Sequence, residues 1–595
     1  MGALIEDYAL LSNCRTAALV SREGSIDWLC LPRLDGASIF AALLGTAEHG
    51  CWQLRPTAPD AAAERFYDDS TFVLVTRWTT SDGVVEVREW LDIADDVMTP
   101  HTHLLRRIVG VSGRVPMQHS LRLRFDYARA LPWVRQAGTA EASMLHAIAG
   151  PDAVVLRGDH MQAHGHEHRS EFTVAAGEQR DLVLSGFPSH MDAPDAIDGD
   201  TSLQRTQRWW QSWAAPITDS GEYSDLVRRS LLILRALTNR DTGGIAAAST
   251  TSLPEEIGGV RNWDYRYVWL RDAALTLEAL LQHGYLDSAE HWRNWLVRAV
   301  AGDPADVQIM YGLAGERDLV ERAIDALPGY EKSTPVRIGN GAAGQYQADV
   351  IGEVLVTLAA ARRGGLQETE RAWAVQRALL HRAEEQIDEP DHGLWEIRGV
   401  PRMFTHSRAM MWAAFDRGIE AVREHGMKGP VDRWEELRER LRDEIDTACA
   451  LRGYFSQHPD TDEVDAALLT LPQVGYCAPD DPRMVATVAK IEETLMHNGF
   501  LLRYRTSSGV DGLVGSESPF LACSFWLVEQ YAEMGEAKKA RELMRRLCSL
   551  ANDVGMLSEE YDPVAQRHLG NTPQAFSHLG LVRAADAIAH TAHRR

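Results

Sequence analysis

The chain begins without a basic segment followed by an apolar run. Met1-Gly2-Ala3-Leu4-Ile5-Glu6-Asp7 offers neither, so no secretory signal is read there. Gly2 invites a myristoylation reading, but Glu6 stands where that signal needs Ser or Thr. No stretch is apolar enough for long enough to span a bilayer, and no membrane partner is expected. The seven cysteines form no CxxC pair and are odd in number, which fits free thiols in a reducing cytoplasm. The 22 histidines include no HExxH and no Cys/His cluster with zinc spacing. The densest group, His164-Gly165-His166-Glu167-His168, reads as a solvated loop between strand-like runs. Positive charge is short as well. Lys and Arg number 61 against 85 Asp and Glu, a net charge of −24 that argues against a nucleic-acid partner.

What is present describes a folded, multidomain protein. A hydrophobic fraction of 45% and a charged fraction of 25% are globular values, and 595 residues suggest two or three domains. Residues 1–215 are rich in β-branched and aromatic runs, such as Thr71 to Trp78 and Gly83 to Trp90, with Ser81-Asp82-Gly83 as a hairpin turn between them. Further strands are expected at Leu121 to Phe125, Ala153 to Arg157 and Ser170 to Ala176, together an antiparallel β-sandwich. Near Ser202 the period changes. Helices are expected at Leu203 to Trp213 and Tyr223 to Leu237, then at Arg271 to His283, Ala289 to Ala301, Ala348 to Arg363, Glu368 to Gln386 and Ser407 to Glu424. Arg433 to Ala448, Arg483 to His497, Pro519 to Met534, Lys538 to Ala551 and Gln574 to Ala589 continue the series. A ring of helical hairpins would gather one set of loops at one end. A solenoid competes, but no fixed sequence period supports it.

Five polar loops carry the candidate chemistry. In Asn262 to Asp272, Trp263, Asp264, Arg266, Arg271 and Asp272 mix aromatic faces that stack on sugar rings with charged groups that bond pairs of hydroxyls. A buried aromatic helix start with Arg–Asp pairs fits the same residues. Pro335 to Gln345 is glycine-rich but lacks the spacing and Lys of a P-loop, and it also reads as a plain helix entry. In Asp391 to Arg398, Trp395 and Glu396 place a carboxyl beside an aromatic, which raises a pKa and suits a general acid. Surface pairing of Glu396 with Arg398 or Arg402 is the plainer alternative. Glu517, in Asp511 to Phe520, either favours a helix N-terminus or faces a cavity. Leu557 to Pro563 sets Glu559, Glu560 and Asp562 around Tyr561, where one carboxylate turned inward could hold a water for attack. A solvated acidic turn is the alternative there.

Taken in order, the motifs resemble the glucoamylase and trehalase family of inverting glycoside hydrolases (family 15), in its bacterial trehalase-like branch. The matching stretches are Ile5-Glu6-Asp7-Tyr8, Gly24 to Cys30, Ser252-Leu253-Pro254-Glu255, Arg261 to Arg266 and Gly315-Glu316-Arg317. Gly393-Leu394-Trp395-Glu396, Cys523-Ser524-Phe525-Trp526, Ser558 to Asp562 and Gly570 to Phe576 complete the set. The resemblance implies an N-terminal β-sandwich with a helical linker at its end (1–215) followed by a catalytic (α/α)6 barrel (216–595). It implies Glu396 as general acid and Glu559 as general base, with Arg271 and Asp272 gripping the terminal glucose and Trp263, Asp264 and Trp395 around them. Two positions depart from the family pattern. Glu560 replaces the Gln after the base, and Gly515-Ser516-Glu517-Ser518-Pro519-Phe520 replaces a more acidic run, which keeps Glu517 as the fallback base.

The reaction then expected is hydrolysis of an α-glucosidic bond with release of β-glucose, most simply of α,α-trehalose, without metal or organic cofactor. A glucoamylase, glucodextranase or isomaltose-type hydrolase of α-1,4 or α-1,6 glucosides is the alternative. A disaccharide phosphorylase would need a phosphate pocket in place of a base, and a non-catalytic sugar-binding protein would bind without turnover. The expected partner is a small carbohydrate, and the sequence leaves a homo-oligomer open.

Overall fold

The computed structural model describes residues 2–94, 100–139, 143–218, 221–300, 307–513 and 515–593. Met1, Ala301 and Val514, which fall in segments read above, lie outside the described residues. The N-terminal part is an antiparallel sandwich whose two sheets share one strand, Thr102–Arg122. Its first half pairs with Gly83–Leu91 and Gln179–Pro188 in one sheet. Its second half pairs with Cys51–Pro56 and Glu167–Ala175 in the other. A strand can change sheets only by bending, and the register slips at Val84/Val85 beside this bend. Gly113 makes the bend possible. Its φ is +68°, and a Cβ there would lie 2.0 Å from the Asp82 carbonyl oxygen. The expected Asp-Gly hairpin forms, with Thr80 paired to Gly83. The histidine-rich loop is a hairpin tip in which His164 pairs with Glu167, and Glu167 bonds Arg122 and Arg169.

Among the described residues twelve α-helices follow: α1 (Gly199–Ala214), α2 (Ser224–Ala236), α3 (Leu270–Gln282), α4 (Leu286–Ala299), α5 (Asp349–Arg363) and α6 (Glu370–Glu385). Then come α7 (Thr405–His425), α8 (Val431–Ala450), α9 (Pro482–Leu495), α10 (Leu521–Glu533), α11 (Ala537–Cys548) and α12 (Ala575–His593). Helix α1 lies on the sandwich. Its Ser202 accepts from the Trp90 indole at 2.9 Å, and its Arg205 grips both oxygens of Asp92 at 2.6 and 2.8 Å. From α2 onward the elements alternate between an outer and an inner ring. The inner ring runs α3, α5, α7, the 3-10 segment Ala466–Thr470, α10 and back through α12 to α3. This is the (α/α)6 barrel.

Burial follows position. Inner helix α10 is buried continuously from Leu521 to Val528. Outer helix α11 buries only Ala540, Leu543, Met544 and Leu547, one stripe at helical spacing. One apolar core runs through both domains. The Trp28 indole of the sandwich donates to Ser249 of the barrel at 3.0 Å, and Arg65 pairs with Asp553 at 2.6 Å. Among the described residues no helix is long and apolar enough to cross a membrane.

Candidate active site

Five of the six connections from an outer to an inner element contribute described residues to the wall of one open cavity. The wall takes Trp269, Arg271 and Asp272 from the approach to α3, and Asn340 from the approach to α5. Trp395, Glu396 and Arg398 come from the approach to α7, Arg503 and Tyr504 from that to α10, and Gln574 and Phe576 from that to α12.

The entry to α3 is extended, so its side chains alternate between two faces. Trp263 and Tyr265 line the cavity, as does Trp269 at the end of the segment. Asp264 and Arg266 point the other way, are fully buried and pair with each other at 2.7 Å. The structure therefore brings Trp263, Arg271, Asp272, Trp395 and Glu396 together in the wall and sets Asp264 and Arg266 behind it. Tyr265 and Trp269 line the wall although they are not among the expected site residues. Period-two alternation from Trp263 was the signal for Tyr265.

These two aromatics each hold one of the expected catalytic carboxyls. The Tyr265 hydroxyl donates to Glu559 Oε1 at 2.8 Å, and the Trp269 indole donates to Glu396 Oε1. Their rings meet edge to face with centroids 5.5 Å apart. Glu396 sits at φ +56°, a conformation non-glycine residues adopt only where surrounding contacts enforce it. Its turn is closed by Ile397 N–H to the His392 carbonyl at 3.1 Å. Its side chain keeps 21% exposure to the cavity, with Arg271 Nη2 at 3.5 Å. Burial pushes its carboxyl up from the ordinary glutamate range, while Arg271 pulls it back. Arg271 is fixed by the Leu394 carbonyl at 2.7 Å and by Asp272 at 3.0 Å.

Glu559 is 1% exposed, behind Tyr265, and its Oε2 accepts from Asn571 N–H at 3.2 Å. Burial and the charge of Glu255 push it up, and Arg503 and the Tyr265 hydroxyl oppose them. Around it lies a buried charge cluster. One oxygen each from Glu255, Glu517 and Glu560 lies within 4.8 Å of the others, the spacing of a cation site. A guanidinium fills that role: Arg503 Nη2 is 3.0, 2.7 and 3.5 Å from the three carboxylates. Arg261 adds Asp511 at 2.6 Å and Glu517 at 3.3 Å. Glu517, the fallback base, thus has both oxygens engaged by arginines and does not line the cavity. Glu255 does line it, with the Trp263 indole at 3.1 Å. Arg398 and Arg337 lie over Trp263 at 4.1 and 4.5 Å from the ring centroid, so this indole is stacked by a guanidinium at the cavity wall.

Comparison with known proteins agrees with this architecture. The sequence pattern of Glycosyl hydrolases family 15 matches residues 221–586, and that of the Trehalase-like, N-terminal domain matches residues 2–184. A trehalase of Mycolicibacterium smegmatis is 36% identical, over 98% of this chain and 90% of that protein. A trehalase of Thermoplasma volcanium is 31% identical over 98% and 93%. The crystal structure of a bacterial glucoamylase complexed with acarbose superposes with a TM-score of 0.74, over 99% of this chain and 94% of that one. At 14% identity that likeness is one of fold. The chain belongs to glycosyl hydrolase family 15 and is a glycoside hydrolase.

Proposed function

We propose that the chain hydrolyses α,α-trehalose with inversion, Glu396 acting as general acid and Glu559 as general base. The observation that carries this reading is the pair of carboxyls held by one segment, Glu396 by Trp269 and Glu559 by Tyr265. Glu396 gives its proton to the glycosidic oxygen as the bond to the inner glucose breaks. Glu559 takes a proton from water attacking the opposite face, so the inner glucose leaves as β-glucose and the other as α-glucose. The carboxyls of an inverting pair stand roughly 6.5–9.5 Å apart to admit that water. Arg271 and Asp272 hold hydroxyls of the terminal glucose whose anomeric carbon the water attacks. The choice of trehalose is supported by the trehalase names of full-length relatives at 31–36% identity. Seven free thiols suit a reducing cytoplasm. The proposed division into residues 1–215 and 216–595 is supported by the contact of α1 with the sandwich and of α2 with α12.

Glu255 is the competing base, because it lines the cavity while Glu559 lies behind Tyr265. Its contacts with Arg503 and Trp263 favour a structural charge instead. Proton NMR with trehalose, isomaltose and maltotriose in separate tubes tests the substrate. Equal early β- and α-glucose from trehalose alone is expected, and β-glucose mainly from the other two sugars would move the protein to α-1,4 or α-1,6 glucosides. E396Q and E559Q should each lose at least ~100-fold in kcat. Retained activity in E559Q with loss in E255Q would transfer the base to Glu255.

A further inference from the structure

The segment that presents Tyr265 and Trp269 has a back face, and that face is fastened to the other domain. Arg266 is fully buried there. Its Nε and Nη2 donate to the two oxygens of Asp264 at 2.9 and 2.7 Å. Its Nη1 donates to the Gly36 carbonyl at 2.7 Å and to Cys30 Sγ at 3.4 Å, and Nη2 also donates to the Tyr127 hydroxyl at 3.0 Å. All five guanidinium donors are used. The guanidinium lies over the rings of Tyr127 and Trp28, 5.3 and 5.8 Å from their centroids. Trp28, Cys30, Gly36 and Tyr127 all belong to the sandwich.

The neighbouring segment is held from the same side. The Trp28 indole donates to the Ser249 carbonyl at 3.0 Å. Ala248 N–H donates to the Tyr265 carbonyl at 2.8 Å, and Ser252 N–H to the Trp263 carbonyl at 2.8 Å. The sandwich therefore grips two adjacent backbone runs whose front faces form the cavity. An apolar contact would hold the domains together as well and would avoid the cost of burying a charge. A planar fork with five satisfied donors does something an apolar contact cannot: it fixes lateral placement and rotation.

We propose that Arg266 is a positioning residue, riveting the back of the Tyr265–Trp269 segment to the N-terminal sandwich so that the Tyr265 hydroxyl and the Trp269 indole meet Glu559 and Glu396 in register. The proposal rests on the catalytic roles assigned above. The sandwich then takes part in catalysis without touching substrate. Lysine keeps the charge but cannot reproduce the fork.

The test uses the full-length R266K and Y127F proteins, with E396Q and E559Q in parallel, on the α-glucoside that the NMR assay shows to be cut fastest. R266K is expected to lose ~10–100-fold in kcat with KM within about threefold, the effect of sub-ångström misplacement of catalytic groups. Both limbs of its pH profile should move upward. A weakened Tyr265 bond leaves Glu559 facing Glu255, Glu560 and Arg503, and a weakened Trp269 bond leaves Glu396 facing Arg271, Asp272 and Arg398. Each lost bond favours the protonated carboxyl. Y127F, which removes one of five acceptors, should move in the same direction by less. A folded R266K with wild-type kcat and unmoved limbs overturns the proposal, even if its melting temperature falls, because Arg266 would then only join the domains. If R266K does not fold, unmoved limbs in Y127F overturn it. Full activity in E396Q or E559Q removes the carboxyl pair and this proposal with it. Loss in both acid variants with unaltered R266K sinks the role of Arg266 alone.

Discussion

Tyr265 and Trp269 stand four residues apart and in edge-to-face contact, so the two carboxyls they hold cannot shift independently. Replacing Trp269 by Phe keeps the ring and removes the donor to Glu396. The charged carboxylate then loses a hydrogen bond, its pKa rises further, and the alkaline limb of kcat/KM should move upward with a fall of about tenfold in kcat. In the unaltered enzyme both groups already titrate above the ordinary glutamate range. As the proposed base, Glu559 would work only when charged, so activity should fall as pH drops through its raised pKa. As the proposed acid, Glu396 would work only when protonated, so activity should fall as pH climbs through its own raised value. The bell measured as kcat/KM against pH should therefore be displaced to higher pH than two unperturbed glutamates would give, and an acidic limb at or below about 4.5 would contradict this. The carboxyls themselves were legible only through the family-like motifs, because Trp395-Glu396 and Ser558 to Asp562 read equally as surface pairs and acidic turns. Asp264 and Arg266 were expected to touch sugar because they share a loop with Trp263. In an extended run, adjacency puts side chains on opposite faces, and only every second residue could have reached the cavity.

The twelve helices were legible from their period, and several expected ends fall within two residues of those formed, as at Arg271 against Leu270 and Ser407 against Thr405. The missing inner element, Ala466–Thr470, is a five-residue 3-10 turn, too short to show a period. Tyr8–Ser12, Ala17–Ser21 and Ser25–Leu31 were not read as strands. They are buried on both faces and so lack the alternation that marks a half-exposed strand. Two substitutions test the packing at this scale. Leu547→Ala empties a fully buried position on α11 and should cost ~2–5 kcal/mol in urea unfolding. Gly113→Ala sets a Cβ against the Asp82 carbonyl at positive φ, and should destabilise by more than ~1 kcal/mol.

The sandwich and the barrel share one apolar core and a set of directional polar contacts, so the whole chain should behave as one cooperative unit. Residues 216–595 produced alone would expose the surface that Trp28 and Tyr127 cover and leave Arg266 without three of its acceptors. That fragment should show less than ~1% of full-length kcat, consistent with the cost of a displaced catalytic group. Activity should return on adding residues 1–215 if the two parts reassociate. Full activity of the fragment alone would show that the barrel needs no support. Helix α12 joins α10 on one side to α2 and α3 on the other, and Glu559 lies in the segment just before it. During synthesis the sandwich emerges first and can fold first. The proposed acid Glu396, with Arg271, Tyr265 and Trp269, leaves the ribosome before the proposed base Glu559 does. A nascent chain therefore carries half of the proposed catalytic pair from Glu396 until Glu559 is made, and gains the other half only as the last hairpin closes the ring.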